Sequence, residues 1–146
     1  MQRKPKMSDY KPILCIDFDG CLHSYDCGWQ NGVIYGDVVP GFFQWAEWAA
    51  LSFRLVIYSS RSKDAELREA MTNWVHDRYR KWRAARIAAK GAPADLVHFE
   101  FAAEKPPAFL TIDDRAIRFD GDWTSEDLSP AALLAFRPWN HTPRAA

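Results

Sequence analysis

Hydrophobic residues are laid along this chain in two patterns. Nearly continuous apolar runs stand at Ile13-Leu14-Cys15-Ile16, Leu55-Val56-Ile57-Tyr58 and, with one Thr, Phe109-Leu110-Thr111-Ile112. Runs of that kind mark strands buried on both faces, the habit of a parallel sheet. Between them apolar positions recur at helical spacing. Phe42, Phe43, Trp45, Ala46, Trp48, Ala49 and Leu51, with Gln44 and Glu47 interposed, predict a short buried helix. Leu67, Met71, Trp74, Val75 and Trp82 predict a long one from about Asp64 to Lys90, ended by Gly91 and Pro93. Residues 97–101 read as a further strand and residues 117–119 as a candidate fifth. Residues 126–136 read as a last helix with Ser125 or Thr124 as its cap. This alternation predicts an α/β domain with a parallel sheet and helices on both faces.

The remaining stretches punctuate that frame. Residues 1–11 form a basic leader without periodicity. Gly20, Gly28, Gly32, Gly36 and Gly41 break up residues 20–41, and Asn31-Gly32 is a hairpin-turn signal, so this segment reads as a flap over the end of the first strand. Trp139 is the residue expected to order part of the tail, 138–146. At 146 residues the chain is long enough for a single domain, 1–146, with a real core. Nineteen basic residues cancel nineteen acidic ones, so no overall charge argues for nucleic acid or membrane. No apolar run reaches membrane-spanning length, and the basic N-terminus lacks a signal segment. Three cysteines are too few, and odd in number, for a disulfide framework, which leads to the expectation of a reduced, cytoplasmic protein. Cys21, His23 and Cys27 match none of the usual zinc spacings.

Chemistry enters at the strand ends. Asp17 and Asp19 close the first run, Ser59 and Ser60 the second, and Asp113 and Asp114 a later one. In a parallel sheet these ends share one edge, where open α/β sheets bind ligands. Asp17 and Asp19 are two apart and point the same way on a regular strand. Adjacent anions on one face call for a cation or a shared proton, and a hard divalent ion such as Mg²⁺ is the natural partner. The plainer alternative is an acidic turn after a strand.

Four segments in order resemble the motifs of the haloacid dehalogenase superfamily of phosphohydrolases: Asp17-Phe18-Asp19-Gly20-Cys21, Ser59 closing its strand, Lys105 in Glu104-Lys105-Pro106, and Asp113-Asp114. Cys21 departs from the usual Thr or Val. The resemblance spans about residues 12–120 and implies a Rossmann-like three-layer sandwich in which the flap is a minimal cap. It implies an Mg²⁺-dependent phosphomonoester hydrolase. Asp17 is then the nucleophile and Asp19 the general acid and base, while Ser59 and Lys105 hold phosphoryl charge. The metal is held by Asp17, the Asp19 carbonyl and Asp114, supported by Asp113. Ser60, Arg61, Gly20 and His23 are candidate substrate contacts; His23 and Arg61 serve equally well to hold the flap. The pattern is similar to small stand-alone phosphatase-like proteins of phages and prophages. It also resembles the phosphatase half of phage polynucleotide kinase-phosphatase, which points to nucleotides or nucleic-acid phosphate ends.

Six basic residues (Arg78, Arg80, Lys81, Arg83, Arg86, Lys90) with Tyr79 and Trp82 between them offer a track for a nucleic-acid backbone. The favoured alternative is a solvated helix face paired with the acidic segment 120–127. Competing functions are a small-metabolite phosphatase of the same mechanism, and a non-catalytic nucleic-acid-binding or regulatory module.

Overall fold

The apolar runs become four short strands: β1 (Ile13–Ile16), β2 (Arg54–Ile57), β3 (Phe99–Phe101) and β4 (Leu110–Ile112). The structure, a computed structural model, describes residues 10–91 and 95–140. The strands form one parallel sheet in the order β3-β2-β1-β4. Leu14 stands opposite Leu55 and Leu110, and Ile16 opposite Ile57 and Ile112. Because side chains alternate along a strand, these residues share one face. Helices α1 (Phe42–Ala49) and α2 (Ala65–Lys90) cover its β1, β2 and β3 part, while Leu110 and Ile112 of the edge strand β4 stay exposed. Phe42, Phe43 and Ala46 of α1 and Met71, Val75 and Tyr79 of α2 join Leu14, Ile16, Leu55, Ile57 and Phe99 in one buried cluster. An ion pair between Glu47 and Arg86 ties the two helices together.

Strand order explains why both helices share a face. The steps β1→β2 and β2→β3 run in the same direction, and right-handed crossovers then put their helices on the same side. The step β3→β4 reverses past β1. Its connection, 102–109, carries no helix. On the other face of the sheet Cys15 and Val56 are buried, while Arg54 and Glu100 pair across strands at the surface, Nε to Oε2 3.0 Å. The predicted α/β domain around a parallel sheet is what forms.

Local signals acted as expected at α2. Asp64 caps it, its carboxylate accepting from the Glu66 and Leu67 amides at 2.9 and 3.0 Å, and Gly91 ends it at a φ of +82°. At 26 residues the helix is about 39 Å long. Two expectations fail. Residues 117–119 form no strand, and Ile117 and Phe119 are exposed. Only residues 113–116 separate them from β4, far short of the dozen or so that a parallel crossover requires. The helix expected over 126–136 is instead a 3-10 turn, Glu126–Leu128, followed by α3 (Pro130–Leu134). Pro130 has no amide to continue the first turn and starts a new one, capped by Ser129. No helix among the described residues is long and apolar enough to cross a membrane. Pro93, residues 1–9 of the leader and the tail beyond 140 lie outside the described residues.

Candidate active site

β1 ends at Ile16 and the chain turns at once. The Phe18 carbonyl accepts from the amides of Cys21, Leu22 and His23 at 3.3, 3.0 and 2.9 Å. Phe18 itself is fully buried and stacks on His23. With Phe18 anchored inward, Asp17 and Asp19 both face a recess of about 150 Å³, lined also by Tyr25, Ser59, Ser60, Asp114 and Arg115. The three predicted strand ends therefore converge. They do so where the strand order reverses between β1 and β4, the switch point of an open α/β sheet.

Asp17 and Asp114 form the centre. Burial, the charge of Asp113, and a hydrogen bond and charge from Asp114 push Asp17 up to about 8. Asp114 is raised as well, first by its own burial. The two carboxyl groups thus share a proton when no cation is present, one of the two arrangements that adjacent anions permit. The Asp114 side chain is 3% exposed, and its Oδ1 has no hydrogen-bond partner. Gly20 makes room for it: at a φ of +87°, a Cβ there would lie 2.5 Å from Asp114 Cγ. Gly20, predicted as a substrate contact, is in this structure a cradle for Asp114. Cys21 completes the group, since ligand atoms of Asp17, Cys21 and Asp114 lie within 4.8 Å of one another. Burial and the charges of Asp17, Asp114 and Asp113 push its thiol up to about 12. A buried, unpartnered oxygen beside a carboxyl pair that must otherwise hold a proton fits a divalent cation.

Asp19 is held differently. Arg61 donates to it twice, Nε to Oδ2 at 2.7 Å and Nη2 to Oδ1 at 3.1 Å. His23 Nδ1 lies 2.9 Å from Oδ1, and His23 Nε2 accepts from the Gly36 amide at 2.9 Å. An amide can only donate, so Nε2 is the unprotonated nitrogen and Nδ1 carries the hydrogen. Burial raises Asp19, but the hydrogen bonds from His23 and Arg61, with the Arg61 charge, outweigh it and hold the carboxyl below its ordinary range. Asp19 is therefore a fixed carboxylate.

Arg61 and His23, candidate substrate contacts, are instead buried at 1% and 0% exposure, with their polar atoms engaged inside the protein. Arg61 Nη1 also donates to the Gly32 carbonyl at 2.7 Å, and its guanidinium lies 4.9 Å from the Trp29 ring centre. The two side chains join Asp19 to the flap. Asn31 and Gly32 take the positive φ values expected of their turn, +54° and +84°, but no hairpin strands flank them. The tail closes over the same region. Trp139 Nε1 donates to the Gly20 carbonyl at 2.7 Å, and Asn140 donates to the Ser24 carbonyl.

Ser59 is buried, its Oγ accepting from the Arg61 amide at 3.2 Å, which leaves its hydroxyl hydrogen free for the recess. Ser60 is exposed on the rim. Asp113 is exposed and turns back to accept from the Arg115 amide at 2.8 Å, so Asp114 supplies the inward carboxylate. Lys105 is exposed and is not among the residues that line the recess, though its charge reaches the Cys15 thiol. The cation at the recess is Arg115. Along α2, Arg78 and Lys81 pair with Asp77, Arg86 with Glu47, and none pairs with residues 120–127. Tyr25 and Arg115 escaped the sequence reading, which had set Cys21 beside His23 and Cys27 rather than beside Asp17 and Asp114.

The fold and the site define an α/β domain with an acidic centre at its switch point. Set against protein-family models, curated proteins and solved structures, the chain matches none.

Proposed function

We propose that this protein is an Mg²⁺-dependent phosphomonoester hydrolase of the haloacid dehalogenase type, acting through an aspartyl-phosphate on Asp17. The observation that carries the reading is the pairing of Asp17 with Asp114, whose buried Oδ1 has no partner, beside a recess walled by a fixed Asp19. Asp17, Asp114 and the Asp19 carbonyl would hold the cation. When bound, Mg²⁺ neutralises the repulsion between a carboxylate and a phosphate dianion.

The chain's own groups then divide the work. Asp17, freed of its shared proton, attacks phosphorus and splits one difficult hydrolysis into two steps. Ser59 donates to a phosphoryl oxygen and Arg115, rather than Lys105, supplies positive charge at the rim. Asp19, held ionised, takes the proton of the water that attacks phospho-Asp17. To act as an acid in the first step it would first need a proton that Arg61 and His23 disfavour. The reaction should therefore favour esters whose leaving oxygen needs little protonation, aryl phosphates above alkyl ones. The recess has room for a phosphoryl group, so the rest of the substrate lies outside it, as suits a nucleotide or a nucleic-acid end.

The finer fold expectation, a Rossmann-like three-layer sandwich, belongs to this reading and is supported by the burial of Cys15 and Val56 on the face away from α1 and α2. The free state of Cys15, Cys21 and Cys27 supports a cytoplasmic setting. The test is phosphate release with and without Mg²⁺ from an aryl phosphate, mononucleotides and end-phosphorylated oligonucleotides. Mg²⁺-dependent release from any of them, lost in Asp17→Asn, supports the reading. No release from a folded, Mg²⁺-binding protein overturns it in favour of a binding module.

A further inference from the structure

We propose that Cys21 makes the acidic centre a site for a thiophilic divalent cation of the Zn²⁺ or Cd²⁺ class, bound by Asp17, Asp114 and the Cys21 sulfur. The ligand atoms of these three side chains lie within 4.8 Å of one another. A second observation points the same way: Asp114 Oδ1 is buried and has no partner. Mg²⁺ takes oxygen ligands in near-octahedral geometry and has no use for a sulfur. Two carboxylates, one thiolate and an open position instead match the three-ligand arrangement of an accessible zinc site. Cys21 also lines an apolar recess of about 270 Å³ with Ile16, Phe42, Trp45 and Ile112. A Thr or Val at position 21 would offer no sulfur.

Binding releases the Cys21 thiol proton and the proton shared by Asp17 and Asp114 to solvent. It occupies the carboxylates assigned to Mg²⁺, so the two cations exclude each other and the thiophilic one shuts off hydrolysis. This site is not the one suggested by Cys21, His23 and Cys27. His23 has both ring nitrogens engaged, and Cys27 is exposed. The inference rests on the same carboxylate pair as the proposed hydrolase but not on turnover.

The test is a titration of metal-free protein with Cd²⁺ at neutral pH, reading the ultraviolet thiolate-to-cadmium absorption and the thermal midpoint. Wild type and Cys27→Ser should show the band. Cys21→Val and Cys21→Ser, each checked for folding by circular dichroism, should lose it. Asp114→Asn should weaken the affinity roughly tenfold or more, and excess Mg²⁺ should move the midpoint of the titration upward. The inference is overturned by a silent wild type, a band that survives in folded Cys21→Val, or an affinity indifferent to Asp114→Asn. A wild type that shows the band yet hydrolyses nothing overturns the hydrolase and leaves this site standing; an active hydrolase silent to Cd²⁺ does the reverse.

Discussion

Gly20 and Gly41 share a φ of +87°, yet an added methyl meets different surroundings at each. Nothing lies within 4 Å of a Cβ at Gly41, whereas at Gly20 it would sit 2.5 Å from Asp114 Cγ. Non-bonded carbons need about 3.5 Å. Gly41→Ala therefore measures the positive-φ cost alone, about 1–2 kcal/mol, a fall in Tm on the order of 3–8 °C for a chain of this size. Gly20→Ala carries that cost and must also displace Asp114. The obstacle is the end of a side chain, so the carboxylate rotates out and the backbone stays; near pH 8, where the proton shared with Asp17 is about half lost, that move adds little further cost. The two metal-free variants should therefore lose similar stability. They should differ in their response to Mg²⁺. At roughly one hundred times its Kd, a bound ion adds about 2.7 kcal/mol. Wild type and Gly41→Ala should show that rise, and Gly20→Ala should not. The assay is thermal unfolding of chelator-stripped protein at pH 8 with and without Mg²⁺, alongside aryl-phosphate hydrolysis. A Gly20→Ala protein that keeps its Mg²⁺-dependent rise would refute the cradle.

Other expectations follow from the same geometry. Asp17 is raised to about 8 in the metal-free fold, so the folded state holds a proton that the unfolded chain has already lost. Stability of metal-free protein should accordingly fall as pH climbs from the ordinary carboxylate range to about 8. Asp114→Asn should flatten that fall and raise Tm at pH 8, while abolishing the gain from Mg²⁺; thermal scans from pH 5 to 8.5 check both. Arg61→Met strands the buried Asp19 carboxylate and should cost about 3–5 kcal/mol, read by urea unfolding, and Arg61→Lys should recover only part because it cannot grip both carboxylate oxygens. Asp19→Asn should slow the second step more than the first, so that phosphorylated protein accumulates in a rapid-quench experiment. An Asp19→Asn enzyme with an unphosphorylated steady state would count against the base role.

The sheet was legible because β1 and, after Arg54, β2 are apolar runs, and α2 because Asp64, its apolar stripe and Gly91 agree. The late segment was not. Ile117 and Phe119 have strand-forming character, but a short link from β4 gives them no parallel partner, and Pro130 divides what periodicity joined. Within the site, residues at strand ends could be placed because a parallel sheet brings those ends together. Arg61 was visible as a neighbour of Ser59, but its grip on Asp19, 42 residues away, depends on where the flap settles. Lys105 is exposed and stands apart from the residues that line the recess. Its place in a Lys-Pro segment does not specify which way the chain crosses the sheet.

The claim at the centre is a phosphoryl group on Asp17. It is tested by single-turnover reaction with a labelled aryl phosphate and Mg²⁺, acid quench, and mass mapping of the peptide that contains residues 13–20. One phosphoryl group on Asp17, absent without Mg²⁺ and absent in Asp17→Asn, is the result this account predicts. Turnover that leaves Asp17 unlabelled while another residue carries the group, or that persists in Asp17→Asn, would contradict it.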